Sequence, residues 1–223
     1  RGLGRGMSRL KLAVMISGRG SNLQALIDAT ADPAFPAEII LVLSNRPGAM
    51  GLERAAKAGI PTRVIDHKDF ADRAAFDREM TAALEDAGTE LVCLAGFMRL
   101  LSDAFVDHWR DRMINIHPSL LPAFKGLDVQ ERVLARGARF AGCTVHYVRK
   151  EMDTGPIIVQ AVVPVHPDDT PDSLAARVLE REHDIYPLAV RLIAEGRVSI
   201  DENDRAVITG AVAQESALLN PKG

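Results

Sequence analysis

The strongest constraint on this chain is a rhythm. Short apolar runs of strand length recur along its first half, each followed by a turn and a stretch with helical spacing. Lys11–Ser17 (KLAVMIS), Ile39–Ser44 (IILVLS), Thr62–Ile65, Leu91–Leu94 and Arg112–Ile116 read as strands. Leu23–Ala29, Leu52–Ala58, Phe70–Ala87 and Leu101–Trp109 read as the helices between them, with Gly59 and Gly88 closing two. Strands that are apolar on successive residues are covered on both faces, and short β–α links make them parallel. Further on, Val129–Arg136 reads as a short helix. Gly142–Val148 and Pro156–Val165 read as two longer strands joined by the turn Arg149–Gly155, hence paired antiparallel. Pro171 opens a long helix to about Glu195, kinked or divided at Pro187, with Gly196 as its C-terminal stop. The predicted class is α/β: a mostly parallel, Rossmann-like open twisted sheet with helices on both faces and an antiparallel C-terminal strand.

Several function classes are disfavoured early. A net charge of −3 provides no basic field for nucleic acid, and 4% aromatics provide few stacking platforms. No apolar run approaches the length of a membrane span. Cys93 and Cys143 lie far apart in apolar runs, which reads as two buried thiols in a reducing, cytoplasmic compartment, with no zinc site and no disulfide framework. The basic start Arg1–Gly6 has no apolar core behind it. It reads as an extension ahead of a natural start at Met7.

Chemistry concentrates in three places. Asn115 and His117 are two apart on a strand that stops at Pro118, so both side chains emerge from one face at a carboxyl end. That is where open α/β sheets bind ligands. An amide can donate to an oxygen gaining charge, and an imidazole can hold or hand over a proton near neutral pH. By itself Asn-x-His also describes an ordinary strand ending in a polar turn. Secondly, Gly18-Arg19-Gly20-Ser21-Asn22 joins a strand to a helix start, a geometry that offers free backbone N–H groups to an anion. It lacks the Gly-Lys-Ser/Thr of a P-loop and the third glycine of a dinucleotide fingerprint. The plainer reading is a tight turn with Ser21 or Asn22 as helix cap. Thirdly, Asp153 lies in the turn Glu151–Gly155, and its usefulness depends on that turn folding over Asn115 and His117. Glu182 falls on the apolar stripe set by Leu174, Val178 and Leu179, so it needs either a buried arginine or a ligand. Gly96–Leu101 could line a slot for a flat ring or pack as core at a helix entry. Leu121-Pro122, held between constrained points, suits a cis bond.

In order along the chain, Ser17-Gly18-x-Gly20-Ser21-Asn22-Leu23, Ala95-Gly96-Phe97-Met98-Arg99, Asn115-Ile116-His117-Pro118-Ser119-Leu120-Leu121-Pro122 and Met152-Asp153-x-Gly155-Pro156 resemble the phosphoribosylglycinamide formyltransferase (glycinamide ribonucleotide transformylase) family of the folate-dependent formyltransferases. The resemblance runs from about Lys11 to Arg197, and Glu182-His183-x-Ile185-Tyr186-Pro187 is part of it. It implies transfer of a formyl group from 10-formyltetrahydrofolate to the amine of glycinamide ribonucleotide in purine biosynthesis, without a metal. It also implies catalytic roles for Asn115, His117 and Asp153. Gly20, Ser21 and Asn22 are implied to bind the substrate phosphate, and Glu182 the ribonucleotide. Phe97, Met98, Arg99, Leu100, Leu101 and Met152 are implied to hold the folate, with Arg73 meeting its glutamate tail. The expected layout is one domain over 7–198, with a phosphate-binding half to about 110 and a catalytic and folate-binding half beyond it. Residues 199–223 are expected to form a peripheral tail with a hairpin. The expected partners are small molecules only, acting on a monomer or homodimer.

Three positions depart from the family pattern. Asp128 and Gln130 stand where some members carry histidine, and Lys125-Gly126 replaces a Pro-Gly. The alternatives are a formyltetrahydrofolate hydrolase, which resembles this domain but carries an additional N-terminal domain, and a non-catalytic folate or nucleotide-binding module. A methionyl-tRNA formyltransferase would call for a basic RNA-binding surface.

Overall fold

A computed structural model describes residues 8–222; the stretch read as an extension, and Met7, lie outside them. A seven-stranded sheet has the order β3-β2-β1-β4-β5-β6-β7. Its strands are β1 (Leu10–Ile16), β2 (Ala37–Ser44), β3 (Thr62–Val64), β4 (Leu91–Leu94), β5 (Met113–His117), β6 (Phe140–Tyr147) and β7 (Ile157–Pro164). The first five run parallel; β6 pairs antiparallel with both β5 and β7. The helices are α1 (Ser21–Thr30), α2 (Met50–Lys57), α3 (Arg73–Asp86), α4 (Asp103–His108), α5 (Val129–Ala135) and α6 (Pro171–Ala194).

Strand alternation divides the interior into two cores. Leu12, Val14 and Ile16 of β1 face α1 and α6, while Ala13 and Met15 face α3 and α4. The same alternation in β5 sends Ile114 and Ile116 to the first core and Met113 to the second. Asn115 and His117 therefore lie on the α3–α4 side. Cys93 and Cys143 are free and buried, and burial pushes the Cys143 thiol up to about 12.

The differences from expectation sit at element ends, and local chemistry explains them. The helix expected from Phe70 starts at Arg73 because Asp72 caps it, accepting from the Ala75 N–H; His67–Asp69 forms a single 3-10 turn before it. The helix expected from Leu101 starts at Asp103, capped by Ser102. Pro187 does not divide α6, which is one helix through it. The Tyr186 hydroxyl donates to the carbonyls of Leu94 (2.7 Å) and Ile114 (3.3 Å), tying the helix to the ends of two strands. The boundary expected at 198 falls inside a strand. Val198–Ile200 (β8) and Ala206–Ile208 (β9) form an antiparallel hairpin whose Val198, Ile200, Ala206 and Ile208 pack on the first core. No helix among the described residues is long and apolar enough to cross a membrane.

Candidate active site

The glycine turn after β1 is built by close approach. Gly20 adopts φ 71° and serves as N-cap of α1, with no side chain capping the helix. A Cβ there would lie 2.7 Å from the Gly51 Cα of α2, so only glycine lets the two backbones meet. Ser21 and Asn22 are thus the first helical residues and not the cap, and their N–H groups belong to the uncapped helix start. A cavity of about 200 Å³ opens there, lined by the turn together with Arg46, Ala95, Gly96 and Met98. It adjoins a larger one of about 650 Å³ that reaches toward Asp66–Lys68.

Glu182 reaches the same end from α6. It is 8% exposed, and burial pushes its carboxyl up to about 7, against the pull of a hydrogen bond from Asn22. No arginine pairs with it among the described residues; its neighbour Arg181 pairs with Glu180 and Asp184. The Asn22 side-chain oxygen Oδ1 is buried without a partner. Asn22 and Glu182 thus form one polar corner beside the uncapped helix start.

On the other side of the sheet edge, β5 delivers Asn115 and His117, and the β6–β7 turn delivers Asp153. That turn does fold back over β5. Asp153 Oδ2 lies 3.5 Å from His117 Nδ1 and accepts from the Gly126 N–H at 2.9 Å. His117 Nε2 sits 2.9 Å from the Phe124 carbonyl. Both ring nitrogens therefore face acceptors, an arrangement an imidazolium satisfies with its two N–H donors. Asp153 itself adopts φ 55°, a left-handed position that costs a non-glycine residue backbone strain, a feature that clusters at functional sites. Gly155 closes the turn, since a Cβ there would strike the Tyr147 carbonyl. The Leu121-Pro122 bond is cis.

Two neighbours escaped sequence reasoning. His146 on β6 is paired with Asn115 in the sheet register and is 2% exposed. Its Nδ1 lies 2.9 Å from the Tyr147 carbonyl, and its Nε2 faces Asp153 Oδ1 at 4.0 Å without a hydrogen-bond partner. Burial pushes this imidazole below its ordinary value. Thr144, paired with His117, donates to the Ser119 carbonyl at 2.7 Å and accepts from the Leu121 N–H at 3.2 Å, which pins the Pro118–Pro122 loop. Both residues look like ordinary strand positions. Only the β5–β6 register reveals them.

The segment expected to line a ring slot is split. Phe97 and Leu101 pack on the second core, whereas Met98 and Leu100 are 63% and 61% exposed. Arg99 is exposed too, and the Met98 N–H is held by Ser17 Oγ at 2.8 Å. Met152, 55% exposed, lies in the turn that carries Asp153. Met98, Leu100 and Met152 thus leave apolar side chains open to solvent, the kind of surface that lines pockets for flat heteroaromatic ligands. Arg73 is exposed at the start of α3, one helical turn before Asp77, whose carboxylate accepts from the Ser102 N–H at 2.7 Å. Asp128 is the N-cap of α5, and Gln130 donates to the Pro118 carbonyl at 3.4 Å.

Comparison with known proteins gives the family and the fold. Residues 10–190 match the family model described as formyl transferase. Phosphoribosylglycinamide formyltransferase of Escherichia coli (strain K12) is 45% identical over 87% of this chain and 92% of its own length. The trifunctional purine biosynthetic protein adenosine-3 of Bos taurus is 52% identical over 88% of this chain, which spans only 20% of that protein. The solved structure of glycinamide ribonucleotide transformylase 1 from Symbiobacterium toebii superposes with a TM-score of 0.89 at 44% identity, covering 93% of this chain and 98% of that one. A matched model over most of the chain, and likeness over nearly the full length of two relatives, carry one conclusion: the chain belongs to the formyl transferase family, with the phosphoribosylglycinamide formyltransferases.

Proposed function

We propose that this chain moves the formyl group of 10-formyltetrahydrofolate onto the primary amine of glycinamide ribonucleotide. The observation that carries the reading is the convergence of an aspartate from the β6–β7 turn on the imidazole at the end of β5, 3.5 Å apart. The ribonucleotide phosphate takes the N–H groups of Ser21 and Asn22 at the start of α1. Glu182, held by Asn22, accepts from a hydroxyl or amine of the same substrate. The pterin lies along Met98–Leu100 and Met152, and Arg73 meets the glutamate tail of the folate.

The amine nitrogen bonds to the formyl carbon, and the carbonyl oxygen takes up the displaced electron pair. Asn115 and the protonated His117 donate to that oxygen. The His117 Nε2–H, turned in this structure to the Phe124 carbonyl, is the donor that swings to it. Asp153 accepts the proton from the attacking nitrogen, directly or through water, and returns it to N10 as the C–N10 bond breaks. These residues carry the charge movement with their own hydrogen-bond donors, and the reading assigns no step to a metal. With the pterin seated on the apolar rim, bulk water is kept from competing as acceptor.

The test is release of tetrahydrofolate from 10-formyltetrahydrofolate with and without glycinamide ribonucleotide. Release that depends on the ribonucleotide is expected. Equal release without it would identify a hydrolase and overturn the proposal.

A further inference from the structure

Arg149, just past the end of β6, lies at the base of the turn that carries Asp153, and no role in the chemistry above falls to it. Its side chain is 8% exposed, beneath two carboxylates that are themselves about half exposed. Nε donates to Asp204 Oδ2 at 2.9 Å and an Nη to Asp204 Oδ1 at 2.6 Å, a bidentate fork. The same Nη donates to Asp111 Oδ1 at 2.8 Å, and the other Nη to the Val148 carbonyl at 3.0 Å. Arg110 adds a contact to Asp204 at 3.3 Å. Asp204 sits in the β8–β9 turn and Asp111 between α4 and β5, both with left-handed backbone (φ 57° and 59°). One guanidinium therefore joins three segments that are distant in sequence.

The join is aimed at the catalytic turn. The Arg149 stem lies against Gly155, where a Cβ would come within 3.2 Å of the Arg149 Cγ, so the two ends of the turn are packed on each other. The next residue, Lys150, is held by Asp107 at 2.7 Å. Between these fixed ends the turn rises to Met152 and Asp153. Asp153 must meet His117 at hydrogen-bond reach, and small errors at the base of a turn grow toward its tip.

We propose that the C-terminal hairpin serves the active site, with Arg149 as a positioning residue that braces the Asp153 turn, and the folate rim on it, against Asp204 and Asp111. An exposed ion pair alone contributes little stability. The bidentate, covered geometry points to alignment as its use. The kinetic part of the proposal rests on the formyl-transfer reading; the structural part does not.

The experiment uses the full chain and the variants Arg149→Met, Arg149→Lys and Asp204→Asn. Formyl-donor kinetics are measured at saturating ribonucleotide, and the converse, together with amide hydrogen exchange over residues 150–154. Arg149→Met is expected to raise the KM for 10-formyltetrahydrofolate about tenfold and lower kcat, with the ribonucleotide KM within about twofold. Asp204→Asn, a surface change that leaves the core intact, is expected to move the same constant in the same direction by about threefold. Arg149→Lys should recover part of the loss, as a cation without the planar fork. Exchange at 150–154 should quicken in each variant. Unchanged donor KM with unchanged exchange would overturn the proposal, as would equal rises in both substrates' KM. If the wild-type chain transfers no formyl group, the function reading falls, and exchange alone then decides whether the hairpin braces the turn.

Discussion

Asp153 and Gly20 show how single residues set the chemistry. Replacing Asp153 with asparagine keeps the shape and can still accept from the Gly126 N–H, but removes the group that takes the amine proton. Transfer should fall at least about 100-fold, with an unchanged circular dichroism spectrum. Near wild-type turnover would remove Asp153 from the mechanism. Gly20→Ala places a Cβ at left-handed φ against Gly51 and should push α1 and α2 apart. The expected results are a ribonucleotide KM raised about tenfold and a loss of about 1–2 kcal/mol in chemical denaturation, with the donor KM unmoved. Asn115 and His117 could be read from the chain because strand alternation fixes residues two apart. Asp153 could be singled out but not placed, since nothing local says over what a turn folds. His146 carried no local signal at all.

At the scale of elements, tertiary anchors decide what local propensity leaves open. Helix α6 carries Glu182 to the substrate end only if its own axis is fixed. Tyr186, one turn further on, fixes it through the carbonyls of Leu94 and Ile114. Tyr186→Phe should cost about 1–2 kcal/mol in a urea titration, because two buried carbonyls lose a donor. It should also weaken ribonucleotide binding more than donor binding. The five parallel strands and their helices were legible from apolar runs and glycine stops. Helix starts were not, because an aspartate or serine cap outcompetes the apolar residue ahead of it, as at Asp72 and Ser102. From sequence alone the hairpin after α6 reads as peripheral, because its polar residues hide four apolar ones that reach the first core.

For the molecule as a whole, the buried carboxyl of Glu182 links folding to pH. Its value rises from 4.5 to about 7 on folding, so the folded chain holds that proton longer than the unfolded one. Its burial therefore carries no penalty below about pH 4.5, and stability is lost as pH rises through 7. His146 has the opposite sign: buried as the neutral ring, it costs stability below its ordinary 6.5 and none above. The two are separated by difference. Glu182→Gln should match the wild type near pH 4.5 and exceed it by on the order of 2–3 kcal/mol at pH 8, read from denaturation midpoints without ligand. A difference independent of pH would show that the carboxyl titrates normally.

Asn22 and Glu182 come from α1 and α6 on one side of the sheet, whereas Asn115 and His117 project on the other, beside α3 and α4. Leu94 and Asn115 are paired where the two compartments meet. Any single compound that reaches both has to cross the carboxyl edge of the sheet between them, like a saddlebag. Its middle has to be slender where it passes Asn115, and its bulk belongs in the two ends, the anionic one toward Ser21 and the flat one toward Met152.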